Sequence, residues 1–262
     1  MATEKLFFPA YQRRLLEPYL PDVHGSMPEG RPWVTLTYAC SLDSQIAVTP
    51  GAQTVLSGPA SKAMTHFLRT KHDAILVGSG TAITDNPGLN SRLSDAVDGG
   101  LKLQPTPVIL DRRGRWDINE DCKVIKLAQE GRGKGPIVFV DFELESQHGI
   151  VAEEREEVLE SVEGVYEGYT DFPDMLDTLY HHGHRSVMIE GGATIINAML
   201  SEHAQFIDSL IVTYAPVYLG QGGVTVCPPK HEGQPHNPVA RYEKVSWIPL
   251  DEDVVMCAKP KR

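Results

Sequence analysis

The 262-residue chain is poor in cysteine and in aromatic residues, and it has no long apolar segment. Its four cysteines, Cys40, Cys122, Cys227 and Cys257, include no Cys-x-x-Cys pair, which argues against a structural zinc site or a redox dithiol. No apolar run approaches the roughly 18 residues that a membrane-spanning helix requires, and the N-terminus lacks the apolar core of a signal peptide. We therefore expect a cytoplasmic protein in a reducing compartment, with no metal site and no membrane partner.

Basic residues are also scarce. The 24 lysines and arginines are outnumbered by 35 aspartates and glutamates, which gives a net charge of −11 at pH 7. An acidic surface disfavours nucleic acid as a partner, so any phosphate site must come from a few arginines or lysines. With 41% hydrophobic and 23% charged residues, the composition is that of a globular protein, and the length suits one large domain.

Residues 1–32 contain several prolines and glycines, and we interpret them as an N-terminal extension and linker before a single domain at 33–262. In that domain strand-like segments alternate with amphipathic helices. This predicts an α/β fold with a central, mostly parallel sheet and helices on both faces. The last strands lack an intervening helix, which predicts an antiparallel edge. We predict strands at 33–39, 74–77, 108–111, 137–140, 186–189, 209–215 and 254–258, helices beginning near 60, 173 and 194, and long loops at 94–105 and 220–240.

Two glycine-containing segments follow predicted strands. In the first, Gly78 and Gly80 come at the end of a strand, where small residues let a ligand approach the backbone closely. Thr81 could bind a phosphate, and Asp85 could accept a hydrogen bond from a ribose hydroxyl. The alternative is a simple tight turn, because the third glycine of the dinucleotide fingerprint is missing. We call residues 78–81 the first glycine corner.

The second glycine corner, residues 191–194, lies between a predicted strand and a helix. Backbone N–H groups at a helix N-terminus point outward, and the helix dipole favours an anion such as a pyrophosphate there. The alternative is a compact turn with Thr194 near the N-cap. Glu190 precedes this corner at the carboxyl end of a strand, where ligands lie in open α/β sheets. It could bind a polar heterocycle or cap the turn.

The third candidate site consists of basic residues. Arg69 and Lys71 end the first predicted amphipathic helix, and Arg92 follows later. Cations at a helix C-terminus often only complement the dipole, but in so acidic a chain Arg69 and Arg92 could clamp a phosphate. Three histidines at a later helix end could suggest a metal, yet solvated side chains are the simpler interpretation: His181, His182 and His184.

Several segments form a joint pattern: VTLTYACSLDS at 34–44, HFLR at 66–69, residues 75–81, DNPGLN at 85–90, and residues 187–197, 215–216 and 219–220. They resemble the riboflavin-pathway reductases that act on 2,5-diamino-6-ribosylamino-4(3H)-pyrimidinone 5′-phosphate, above all the stand-alone fungal and archaeal forms. The resemblance implies a fold like that of dihydrofolate reductase, NADPH as cofactor and a homodimer. The bacterial form adds a zinc deaminase domain, whose His-x-Glu and Pro-Cys-x-x-Cys motifs this sequence lacks.

The resemblance also implies roles for individual residues. The cofactor would be held by Gly78, Gly80, Thr81, Asp85, Gly191, Gly192, Ala193 and Thr194. The phosphorylated pyrimidine substrate would be bound by Asp43, Arg69, Leu89, Asn90, Arg92 and Glu190, with the two arginines on the ribose phosphate. Bacterial relatives have Ser-x-Trp before the first helix, where this chain has Gln53-Thr54-Val55, so substrate contacts there are left open.

The implied reaction reduces the ribosylamino side chain to a ribitylamino group. Hydride would reach C1′ of an opened, imine-like sugar. A carboxylate, Asp43 or Glu190, would stabilise a cationic imine, and no proton donor is identified. Two alternatives stay open. One is a dihydrofolate-type pterin reductase, which needs no arginines for a substrate phosphate. The other is a non-catalytic nucleotide-binding module.

Overall fold

A computed structural model describes residues 5–22, 25, 27–141, 153–233 and 236–261. Strands and helices alternate along most of the chain. The strands are β1 (Trp33–Cys40), β2 (Gln45–Ala47), β3 (Ala74–Gly78), β4 (Thr106–Leu110), β5 (Ile137–Asp141), β6 (Val165–Tyr169), β7 (Ser186–Gly191), β8 (Ser209–Tyr214), β9 (Val224–Thr225), β10 (Tyr242–Leu250) and β11 (Asp253–Pro260). The α-helices are α1 (Ala10–Leu16), α2 (Pro59–Arg69), α3 (Ser79–Asp85), α4 (Ser94–Asp98), α5 (Lys123–Gln129), α6 (Glu153–Glu160), α7 (Phe172–His181) and α8 (Ala193–Leu200).

The central sheet has the strand order β10-β11-β8-β1-β7-β3-β4-β5-β6. From β8 to β6 every pair of neighbours is parallel. At the other end, β11 runs antiparallel to β8, and β10 runs antiparallel to β11. A tight turn, rather than a crossover helix, joins β10 to β11. The predicted mostly parallel sheet with an antiparallel edge is confirmed.

The two faces of the sheet are covered by different helices. Side chains alternate along a strand, so Ala74 and Leu76 of β3 enter one core cluster, and Ile75 and Val77 enter another. The first cluster contains the buried sides of α7 and α8. The opposite face packs against α1 to α6 in two further clusters. Helices on both faces are thus confirmed.

The N-terminal extension packs onto the rest of the chain. Phe8 is 1% exposed, and its ring centroid lies 5.5 Å from that of Phe67 on α2. The main chain of Leu6 forms hydrogen bonds with residues 92 and 94, at 2.9 and 3.0 Å. Residues 6–20 therefore contribute to the same core as α2. The predicted boundary between the extension and the domain remains a prediction.

Local sequence signals explain where the helices near the site begin. α2 starts at Pro59, whose fixed φ suits a first helical turn. α7 is capped by Asp171, whose carboxylate accepts the N–H of Asp174 at 2.9 Å. α8 begins directly after Gly192, one residue before the predicted start. These signals are local, which is why the sequence reveals them.

Other elements differ from the sequence expectations. The predicted loop at 94–105 contains α4, and the predicted loop at 220–240 contains β9, which pairs with β2. β6 and β10, at the two edges of the sheet, were not predicted. Most side chains of β10 are exposed or half-buried, so it lacks the apolar pattern by which a strand is recognised.

Candidate active site

The candidate active site lies at the carboxyl ends of β1, β7 and β3, which are neighbours in the sheet. β1 and β3 come early in the chain, whereas β7, which lies between them, comes much later. The strand order therefore reverses here. In open α/β sheets, the crevice beyond such a switch point is where ligands bind. The loops that leave these strands meet at this edge.

The two glycine corners adjoin in space. β3 and β7 are paired with Val77 opposite Gly191, so the corners follow neighbouring strands. The Gly192 N–H donates to Thr81 Oγ1 at 3.1 Å, which joins the corners directly. Gly191 has a φ of +94°, and a cis peptide bond links it to Gly192. The two corners are therefore adjacent in space, as the dinucleotide hypothesis requires.

Each corner leads into a helix N-terminus, where the first N–H groups have no partner within the helix. α3 begins after Gly78, and α8 begins after Gly192. Two positive helix ends thus lie side by side, which favours an anion. A Cβ on Gly78 would lie 2.9 Å from Ile195 Cδ1, whereas a Cβ on Gly80 would meet no atom within 4 Å. The end of the Ile195 side chain thus packs closely on Gly78, whereas no described atom crowds Gly80.

A cleft of about 860 Å³ opens beside the corners. Its size is typical of a site for a small metabolite or part of a cofactor. Its wall includes predicted residues from both the cofactor set and the substrate set: Arg69, Thr81, Asp85, Leu89, Asn90, Arg92 and Glu190. The other predicted cofactor residues belong to the corners that Thr81 joins: Gly78, Gly80, Gly191, Gly192, Ala193 and Thr194.

Arg69 and Glu190 form a bidentate ion pair in this cleft. Nε and Nη2 of Arg69 donate to the two carboxylate oxygens of Glu190 at 2.9 and 2.8 Å. The two side chains are only 13% and 19% exposed. Nη1 of Arg69 also donates to the Asn90 carbonyl at 3.0 Å. The pair fixes the plane of the carboxylate, and Glu190 balances the charge of Arg69 within the protein.

His66, on α2, organises an adjacent part of the cleft. Its Nδ1 accepts the backbone N–H of Arg92 at 3.0 Å, and its Nε2 lies 3.3 Å from Arg92 Nη2. Burial, together with the charges of Arg69, Arg92 and Lys62, lowers the pKa of His66 to about 2, and the Asn90 carbonyl opposes this only partly. The imidazole is therefore neutral near pH 7.

Asp43 binds backbone and side-chain donors and lies outside the wall of the cleft. Its Oδ1 accepts from Ser41 Oγ at 2.5 Å and from the Leu219 N–H at 3.1 Å. Its Oδ2 accepts from Gln45 Nε2 at 2.9 Å and from the Gly220 N–H at 2.8 Å. The Ser41 hydrogen bond, followed by the two backbone N–H groups and Gln45, lowers the pKa of Asp43. Asp43 ties two loops together and is unsuited to donate a proton; its contact with substrate remains a prediction.

Asp85 lies on the cleft wall at the C-terminal end of α3. Burial raises the pKa of its carboxyl group, and Lys123 partly offsets this. The helix ends at Asn86, which has a left-handed conformation and whose Oδ1 accepts the Lys123 N–H at 2.8 Å. The first glycine corner and Asp85 are therefore the two ends of one short helix.

Lys62 and the arginines of residues 112–115 are basic residues at the site that the sequence patterns do not predict. Lys62 lines the cleft one turn before His66 on α2. Residues 112–115, with the sequence Arg-Arg-Gly-Arg, follow β4 at the same edge of the sheet. Arg115 Nη2 donates to Ser79 Oγ, in the first glycine corner, at 3.3 Å. Three arginines directly after a predicted strand, in a chain with few basic residues, were a usable signal.

The three histidines near the end of α7 do not form a metal cluster with other side chains in the described ranges. His182 Nε2 lies 2.8 Å from a carboxylate oxygen of Glu167, and His181 lies 3.3 Å from Asp177. Among the described helices, none combines the length and the hydropathy of a membrane span.

A switch point with two joined glycine corners and an ion-paired cleft is the arrangement of an α/β enzyme that binds a nucleotide at the edge of its sheet. The model of the RibD C-terminal domain family matches residues 32–256. The chain belongs to this family, and it is an oxidoreductase of riboflavin biosynthesis.

Similar proteins extend over nearly the whole chain. A Debaryomyces hansenii protein named 2,5-diamino-6-ribosylamino-4(3H)-pyrimidinone 5′-phosphate reductase is 38% identical over 256 residues, which are 94% of this chain and 95% of that protein. The structure of a Saccharomyces cerevisiae riboflavin biosynthesis reductase matches with a TM-score of 0.74 at 32% identity, over 95% of this chain and 99% of that one. Acinetobacter baumannii RibD matches with a TM-score of 0.72 at 26% identity, over 89% of this chain and 59% of that one.

Proposed function

We propose that the protein reduces the ribosylamino side chain of 2,5-diamino-6-ribosylamino-4(3H)-pyrimidinone 5′-phosphate to the ribitylamino form, with NADPH as reductant. The observation that carries this proposal is the junction of the two glycine corners, through Thr81 and Gly192, beside the cleft that holds Arg69 and Glu190. The cleft thus offers room for a substrate next to the two corners, which would bind the dinucleotide.

The residues present fit a nicotinamide dinucleotide. The corners offer two helix N-termini for a pyrophosphate. The arginines at 112–115 supply positive charge at the same edge, next to Ser79. An arginine fork suits the 2′-phosphate that distinguishes NADPH from NADH, which supports NADPH as the preferred cofactor.

When bound, NADPH supplies the hydride. The protein's part is to orient the substrate and to balance charge. Glu190, whose carboxylate plane Arg69 fixes, would stabilise positive charge that develops on an imine nitrogen. Asp43 holds the loops after β1 and β8 in place. The basic wall of the cleft favours a phosphorylated substrate over a pterin, whose reduction would need no cation there.

Two further expectations belong with this proposal. The family resemblance implies a homodimer, and the exposed Trp247 on edge strand β10 is consistent with a surface that a second copy covers. All four cysteines are described and have free thiols, which supports a reducing, cytoplasmic location. Sedimentation equilibrium at micromolar protein tests the dimer, and fluorescence microscopy of the tagged protein tests the location.

The decisive assay follows NADPH oxidation at 340 nm with the ribosylamino pyrimidinone phosphate as substrate and dihydrofolate as the matched control. We expect turnover with the former and none with the latter. Turnover only with dihydrofolate would show a pterin reductase. NADPH binding without turnover of either compound would show a non-catalytic module.

A further inference from the structure

We propose that Lys62 and His66 complete the subsite for the phosphate of the substrate together with Arg92, and that Arg69 instead serves as the counter-ion of Glu190. This inference rests on the proposed function and refines it. It differs from the sequence expectation, in which Arg69 and Arg92 alone bind the phosphate.

The spacing on α2 places three basic side chains along one stripe of the helix. Lys62, His66 and Arg69 are four and three residues apart, so they lie on the same side of the helix. All three line the same cleft, and so does Arg92 from the loop after α3. The cleft therefore has a cationic corner between α2 and that loop.

The charges in this corner are not equivalent. Arg69 donates three hydrogen bonds within the protein, two of them to the carboxylate of Glu190. By contrast, among the ion pairs of the described residues none involves Lys62 or Arg92. Their positive charges are the ones left for an external anion. A dianionic phosphate monoester matches two such charges.

His66 contributes a neutral donor to this corner. Its Nδ1 accepts the Arg92 N–H, so the proton of the neutral ring is on Nε2. That N–H lies 3.3 Å from Arg92 Nη2, which is also a donor. Two donors at this distance can both be satisfied by one anionic oxygen placed between them. Ser91 Oγ donates to the His66 carbonyl at 2.7 Å, which fixes the loop that carries Arg92.

The test compares the phosphorylated substrate with its dephosphorylated counterpart in the wild type, Lys62→Met and His66→Gln. We expect each variant to raise KM for the phosphorylated substrate about tenfold, as for a lost hydrogen bond to a charged group. We expect kcat to stay within about twofold, and KM for the dephosphorylated compound to be unchanged. Lys102→Met removes an exposed lysine that is not on the cleft wall, and it serves as the control for net charge.

Ribose 5-phosphate is the second probe, because its binding, measured by calorimetry, needs no turnover. Weaker binding in Lys62→Met, with wild-type affinity in Lys102→Met, supports the subsite. The subsite proposal is overturned if the wild type, Lys62→Met and Lys102→Met bind ribose 5-phosphate with equal affinity. It is also overturned if KM of Lys62→Met for the phosphorylated substrate stays within twofold of wild type. Lys62 is exposed, so its replacement leaves the core intact even if His66→Gln does not fold. If the wild-type protein binds ribose 5-phosphate through Lys62 but reduces no substrate, the proposed function is refuted and the subsite proposal stands.

Discussion

Replacing both members of the Arg69–Glu190 pair tests whether this ion pair holds the cleft together. At an effective dielectric constant of about 20, two charges about 4 Å apart attract by about 4 kcal/mol. Ordering an arginine side chain costs up to about 2 kcal/mol. Since the side chains are only 13% and 19% exposed, solvent screening is limited. We therefore expect a coupling of about 2 kcal/mol.

The measurement is a double-mutant cycle of Glu190→Gln and Arg69→Met, with the free energy of unfolding taken from urea titrations followed by circular dichroism. Each single variant should lose about 2–3 kcal/mol, because it leaves one charge without its partner. The double variant should lose about 2 kcal/mol less than the sum. The exposed Lys5–Asp98 pair, with an N···O distance of 2.7 Å, is the matched control and should couple by less than about 1 kcal/mol.

A coupling between Arg69 and Glu190 no larger than that of the control pair would refute this reasoning. The same variants report on catalysis. If Glu190→Gln leaves kcat/KM within about threefold of wild type, a role for Glu190 worth more than about 0.7 kcal/mol in the transition state is excluded.

Three further predictions follow. Replacing Arg113 and Arg115 with glutamine should raise KM for NADPH about tenfold and leave KM for NADH unchanged, as measured in steady-state assays with each cofactor. Equal effects on both KM values would show that these arginines do not bind the 2′-phosphate. Phe8→Ala, at a side chain that is 1% exposed, should cost about 3–5 kcal/mol in urea unfolding, whereas a loss below 1 kcal/mol would show that the extension is not part of the core. Burial lowers the pKa of His66 to about 2 and that of His72 to about 4. As the pH falls below about 6.5, the unfolded chain binds these protons before the folded protein does, so stability should fall by up to about 1.4 kcal/mol per pH unit for each histidine. The contribution of His72 ends near pH 4, where the folded protein also binds its proton, and His72→Gln should flatten the slope above that pH.

The sequence reveals the parts of the fold that have local causes. The central strands are short apolar runs, and Pro59 and Asp171 mark helix starts, so these elements are predicted close to their observed ends. The edge strands β6 and β10 escape prediction because an edge strand exposes much of its surface and loses the apolar pattern. β9 also escapes prediction, but for a different reason: its two residues are too few to show any pattern.

The site was predictable as a set of residues but not as an arrangement of charges. Glycines at strand ends identified both corners, and the structure places them side by side. The Arg69–Glu190 pair joins residues 121 positions apart, and nothing local in the sequence shows that β7 lies next to β3. The partners of Asp43, on the loop after β8, are hidden for the same reason. Lys62 looks like any solvated lysine until the cleft beside α2 is known.

The most direct test of the proposed function uses NADPH that carries deuterium at both C4 positions of the dihydronicotinamide, with the ribosylamino pyrimidinone phosphate as substrate. Mass spectrometry and proton NMR of the product should show one deuterium at C1′ of the ribityl chain. A reduced product with no deuterium at C1′, or NADPH that is bound by the protein and never consumed, would contradict the proposal.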